Sequence, residues 1–411
     1  MPSVSNSISL LGLKLTGHQR YLSSAEGTQK HVQTHYLKAD HSPSQKLHRF
    51  YHIDRHHVRG RDTYTMQYKK SMEMFTNVIH IMYIHGGSYV NEITARQWEF
   101  LAVIIDMAAQ QGVGIIFTIP IYSIITPGIQ SLHDKHGYAH AVMGFLKSAY
   151  RFIVDKTNRP KDIEIMGDEA GAGLAYALAI SLDSRSGLPP PKRVLLLSPW
   201  LDVHLQNPAI KRLQQSDPTN RLEGLKQAGS MFAHGTDSID PILAPLYARV
   251  DKAMLARMYV WTSDADICQA DCMTLVYHAS KKGIDMTKSY RERSKRYFCM
   301  GGLYPSWMFS TWTPEAKRTI SEIVTVVKEA SINQRSPSLN SETSPRRSSV
   351  GGLYKGERSL SSGSVNSQSS GSVAGAGRPR GKSMHNVYGT PQVMKGMVVV
   401  EPASWNTVIK A

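Results

Sequence analysis

Residues 163–183 constrain this chain more than any other stretch. Ile163-Glu164-Ile165-Met166 alternates as an apolar β-strand, Gly167-Asp168-Glu169-Ala170-Gly171 forms a sharp turn, and Ala170 to Ala179 is a run of small residues able to pack closely on a sheet as a helix. Strand, turn and helix in that order set one side chain, here Glu169, at the tip of the turn. Two glycines four apart carry little by themselves, so the weight falls on what surrounds them.

Upstream, Asn77 to Ile84 reads as a buried strand running into His85-Gly86-Gly87-Ser88-Tyr89. Glycines after a strand let backbone N–H groups converge on a developing oxyanion. Downstream, Arg193 to Ser198 leads into Pro199-Trp200-Leu201-Asp202, and Met258 to Ser263 leads into Asp264-Ala265-Asp266. Strands at 78–84, 115–121, 163–168, 193–198 and 257–262 alternate with helices near 94–111, 138–156, 170–183 and 268–282. Such alternation predicts βαβ units and a mostly parallel, doubly wound sheet.

The ordered set of HGG loop, G-x-E-x-G elbow, SPWLD and a strand followed by aspartate resembles the hormone-sensitive-lipase-like esterases of the α/β-hydrolase superfamily, over about residues 70 to 330. The resemblance implies an α/β-hydrolase fold with a helical cap. It places Gly86, Gly87 and the Ala170 amide at the oxyanion hole and His85, Ser88 and Tyr89 at a ligand pocket. Glu169 stands where the family keeps its nucleophilic serine, and Asp266 stands at the triad acid, with Asp264 as competitor. The family's histidine position falls on Gly302, in Met300-Gly301-Gly302-Leu303-Tyr304-Pro305. Asp266 has a second reading, as a cap of the helix that follows.

Loss of either serine or histidine from a comparable triad costs on the order of a million-fold in turnover. An ionised Glu169 would also repel an oxyanion by about 1 to 4 kcal/mol at contact distance. The leading expectation is therefore an esterase-like protein without normal hydrolase activity, acting as a small-ligand-binding protein or a scaffold. Its ligand would be apolar and neutral or cationic, because the Glu169 carboxylate disfavours an acid. An alternative is an active ester hydrolase using Glu169 itself, with His204 or His234 as relocated base. A third reading gives the work to a phosphorylation-regulated tail that binds a protein partner.

The chain carries +16, but the charge sits at its ends: residues 1–70 hold +7 and residues 331–411 hold +7, leaving the middle near neutral. No aromatic-interleaved basic patch accompanies the excess, so nucleic acid is not expected and membrane association is at most peripheral. Three cysteines make no disulfide framework, and Cys268 and Cys272 lack companion histidines, so neither a metal nor a cofactor is expected. A reduced, cytoplasmic setting is the simplest expectation, with the surface of an intracellular membrane as the alternative.

The expected organisation is a basic N-terminal lead-in and cap segment over 1–70 and a hydrolase domain over 71–330 with a cap insertion at about 202–240. A Ser/Gly/Arg-rich tail follows over 331–392, and a docking peptide over 393–411. The tail composition cannot offset the entropy of ordering and predicts disorder. Ser348, Ser349 and Ser383 follow basic residues and are the phosphorylation candidates.

Overall fold

The structure is a computed structural model. It describes residues 24–35, 41–69, 72–127, 137–182, 186–284 apart from positions 216, 218, 219, 256, 264 and 265, the strand 297–300 and the helix 314–332. Gly302, Asp264, the tail from 333 to 392, the 393–411 peptide and Ser348, Ser349 and Ser383 lie outside the described residues, while positions 331 and 332, expected at the start of the tail, end the helix 314–332.

Eight strands form one sheet in the order β1-β2-β4-β3-β5-β6-β7-β8. They are β1 (Tyr51–Val58), β2 (Arg61–Tyr68), β3 (Val78–Ile84), β4 (Gly114–Pro120), β5 (Glu164–Asp168), β6 (Val194–Leu197), β7 (Met258–Ser263) and β8 (Tyr297–Met300). From β4 to β8 every pairing is parallel, while β1 and β2 form an antiparallel hairpin laid antiparallel on β4. This is the mostly parallel sheet that the strand-helix alternation predicts, in the α/β-hydrolase fold that the resemblance implies.

The helices are α1 (Ala25–His35), α2 (Ala95–Gln110), α3 (Gly137–Lys156), α4 (Glu169–Ser181), α5 (Leu222–Ala233), α6 (Gln269–Lys281) and α7 (Pro314–Ile332), with shorter turns between them. The period-two alternation of the strands sends side chains to two cores. Ile79, Ile81 and Tyr83 of β3, with Leu195 and Leu197 of β6, pack with α2 and α7. Met82, Ile84, Val194 and Leu196 point the other way, into a core shared with α3, α4, α5 and α6. Strands covered on both faces read as continuous apolar runs, which makes β3 and β6 legible in the sequence.

Residues 51–68, expected within the lead-in segment, are the first two strands of the sheet. Their residues alternate poorly, since β1 is Tyr-His-Ile-Asp-Arg-His-His-Val at a sheet edge and is mostly half-buried or exposed. The hairpin is closed by Arg59 and Gly60, both at positive φ (50° and 75°), as a two-residue primed turn requires. Helix α1 packs on α5, where the Thr28 hydroxyl donates to the Gly224 carbonyl at 3.2 Å. His31 Nε2 lies 2.8 Å from Asn91 Oδ1, which ties α1 to the segment following the HGG loop.

Candidate active site

Strand β5 ends at Asp168 and α4 begins at Glu169, whose φ of 49° is left-handed. For a non-glycine residue that conformation costs of order 1 to 3 kcal/mol, and surrounding contacts must hold it. Backbone crowding explains the flanking glycines. A Cβ on Gly167 would stand 2.5 Å from the Gly171 carbonyl oxygen, and one on Gly171 would stand 2.1 Å from the Ile84 carbonyl oxygen. Helix α4 therefore starts tight against the end of β3, and that packing delivers Glu169 to the HGG loop.

In the loop, Gly87, Ser88 and Tyr89 all adopt positive φ (129°, 53° and 63°). The Gly87 and Ser88 amides turn toward the elbow. Gly87 N donates to Glu169 Oε2 at 2.7 Å and Ser88 N donates to the same oxygen at 2.8 Å. The Ser88 hydroxyl donates to Oε1. Glu169 is 4 % exposed and forms no ion pair among the described residues, so these three donors are what hold its carboxylate.

Gly86 departs from its expected role. Its N–H donates to Asp168 Oδ1 at 2.8 Å, and the second amide on the elbow comes from Ser88 instead. Asp168 is fully buried and also accepts from Tyr83 OH at 2.5 Å and from Gln97 Nε2 at 3.1 Å. Gln97 is at the same time the partner of Thr94 in the capping box that opens α2. The tie between Gly86 and Asp168 fixes the loop backbone, and the next two amides face Glu169 as a result. Ala170, the residue after Glu169 on α4, is buried.

The three expected pocket residues are buried against the protein itself. His85 stacks on Tyr122, with ring centroids 4.4 Å apart, and Tyr122 OH donates to the His85 carbonyl at 2.9 Å. Burial pushes the His85 imidazole down to about 4, so the ring is neutral at ordinary pH. Ser88 is committed to Glu169. Tyr89 lies face to face with Phe232 of α5 at 3.9 Å and leans on Trp200 at 5.3 Å. Neither described cavity is lined by His85, Ser88, Tyr89 or Glu169.

Asp266 Oδ1 accepts from Cys268 N at 2.8 Å, a local turn into α6, and Oδ2 has no hydrogen-bond partner. Burial, with the Asp217 carboxylate beside it, pushes the Asp266 carboxyl up to about 8. Asp271, one turn further along, is likewise raised to about 8 by burial and by Asp202. Among the described residues, no histidine hydrogen-bonds to Glu169 or to Asp266. Cys268 and Cys272 are buried free thiols, and the described residues hold no cluster able to bind a metal. No described helix is long and apolar enough to cross a membrane.

Residues 135–295 match the family model described as alpha/beta hydrolase fold. An esterase of Acinetobacter venetianus is 27% identical over 59% of this chain and 72% of its own length. An acetyl-hydrolase of Streptomyces hygroscopicus is 23% identical over 50% of this chain; the chain spans 64% of that protein. Among solved structures, an esterase from the bacterial hormone-sensitive lipase family superposes with a TM-score of 0.58 at 17% identity, covering 80% of this chain and 99% of that one. The parallel sheet and the strand-turn-helix elbow define an α/β-hydrolase. Within that fold the chain is similar in sequence to the Acinetobacter venetianus esterase and the Streptomyces hygroscopicus acetyl-hydrolase.

Proposed function

We propose that this protein is a non-hydrolytic member of the esterase family, one that has kept the fold as a binding scaffold. The observation that carries this reading is the seat of the Glu169 carboxylate on Gly87 N–H, Ser88 N–H and the Ser88 hydroxyl. In an acyl-transfer enzyme, amides of this kind receive the oxyanion of the tetrahedral intermediate, and one such donor is worth about 3 to 4 kcal/mol of transition-state stabilisation. Here an internal anion already holds them. A substrate carbonyl would have to displace Glu169 and then develop negative charge beside it.

The same geometry weakens the reading of Glu169 as nucleophile. Its Oε2 accepts two amide hydrogen bonds and its Oε1 accepts the hydroxyl, so attack requires these bonds to break. Water must then be activated by a base, and no described histidine reaches the carboxylate. A ligand approaching the elbow would be neutral or cationic and apolar. Because Tyr89, Phe232 and Trp200 pack together beside the loop, the scaffold role is favoured over a ligand held at the elbow. A protein partner taken through the tail is compatible with this role.

The test is hydrolysis of short- and medium-chain p-nitrophenyl esters by the full chain and by the double change Glu169→Ser, Gly302→His. The expected result is no wild-type turnover above background and measurable turnover in the double variant. Enzyme-level turnover by the wild type overturns the proposal.

A further inference from the structure

The segment from Val203 to Thr236 lines a cavity of about 560 Å³ that the elbow does not use, with His204, Lys226, Ser230, His234 and Thr236 and two small apolar side chains on its wall. Lys226 and Ser230 lie one turn apart on α5, and His234 caps its C-terminal end. Phe232, which covers Tyr89, projects from a different side of the same helix, so the cavity and the elbow are separate places.

Its lining is chemically one-sided, with one ammonium, two imidazoles, two hydroxyls and no carboxylate. Lys226 forms no ion pair among the described residues, so its charge is uncompensated at the cavity. His204 Nε2 is buried and has no hydrogen-bond partner, an unfavourable state that an arriving acceptor would relieve. An anion entering the cavity would satisfy both.

We propose that this cavity binds a phosphate group. Its donors are point-like and come from several directions, which suits a tetrahedral oxyanion, whereas the planar fork of an arginine, the usual match for a carboxylate, does not line it. The volume falls within the range of small-molecule sites and exceeds what one phosphate fills, so the group is carried on a larger body. This site differs in charge preference from the elbow, where Glu169 repels anions.

The experiment uses the full chain with ¹⁵N-labelled histidine, titrated with inorganic phosphate at an ionic strength held constant with chloride. The His204 imidazole resonances, identified by their loss in His204→Gln, are expected to shift in a saturable manner, and Lys226→Gln is expected to weaken the apparent affinity tenfold or more. Parallel titrations with glycerol 3-phosphate and with phosphatidic acid vesicles against phosphatidylcholine vesicles separate a soluble monoester from a lipid headgroup. Absence of a saturable shift, or a shift that Lys226→Gln leaves unchanged, overturns the proposal. Lys226 is exposed and outside the core, so its variant keeps the fold, and unchanged thermal unfolding without phosphate confirms that control.

Discussion

Glu169 and Ser88 meet across the carboxyl ends of β5 and β3: Ser88 donates its amide to one carboxylate oxygen, at 2.8 Å, and its hydroxyl to the other. This contact ties the elbow to the HGG loop with two bonds from one residue, and Gly87 adds a third. The Glu169 side chain is thereby a structural member of the turn.

Glu169→Gln should therefore destabilise the fold by about 1 to 3 kcal/mol. The carboxamide keeps the volume but offers a neutral oxygen to the two amides in place of a carboxylate, and its NH₂ forces the Ser88 hydroxyl from donor to acceptor. Urea unfolding checks this, and a change under about 0.5 kcal/mol would contradict the role assigned to the three bonds.

A vacated seat should accept a small anion. In Glu169→Gly the left-handed backbone at position 169 is unstrained, and the Gly87 and Ser88 donors lose their partner. Formate or acetate should raise the melting temperature of Glu169→Gly in a saturable way at constant ionic strength, and should leave the wild type unmoved. Equal responses of the two proteins would mean that the donors do not form an anion site.

Gly171→Ala should be among the most damaging single methyl additions. The added Cβ would meet the Ile84 and His85 carbonyl oxygens at 2.1 and 2.3 Å, and neither backbone can retreat without moving β3. A loss of about 1 to 3 kcal/mol or more is expected in chemical denaturation. A neutral outcome would show that α4 does not approach the sheet as closely as the structure has it.

Stability should fall as pH rises from about 6.5 to 8. Burial raises Glu164 to about 7, and Asp266 and Asp271 to about 8. For a carboxyl raised on folding, the native state holds the extra proton, so stability is complete below the unfolded value and is lost through the folded one. His85 runs the other way, lowered to about 4, and its contribution is complete by pH 6.5. The carboxyls thus govern the window above that, at up to about 1.4 kcal/mol per pH unit for each bound proton. Melting temperatures across pH 6.5 to 8 test this, and Asp266→Asn should flatten the profile; a flat wild-type profile would contradict it.

The sequence made the parallel part of the fold legible because strands buried on both faces need apolar runs, and Val78–Ile84 and Val194–Leu197 supply them. The β1-β2 hairpin stayed hidden because an edge strand tolerates His52, Arg55 and His57. Glu169, Gly87 and the loop were also legible, from glycine spacing and motif order. The exchange of Gly86 for Ser88 was not, because which amide turns inward depends on Asp168 and Gln97, and nothing local to the HGG loop announces those partners. Nor does spacing reveal that Tyr89 stacks on Phe232, 143 positions away in the chain.

In the proposed function Glu169 occupies the nucleophile position of the elbow without catalysing hydrolysis. The most direct measurement follows p-nitrophenyl butyrate hydrolysis by the wild type and Glu169→Gln, with intact mass recorded during incubation. Equal, background rates and an unmodified wild-type mass are expected. A wild-type rate abolished by Glu169→Gln, or a butyryl adduct on Glu169, would contradict it.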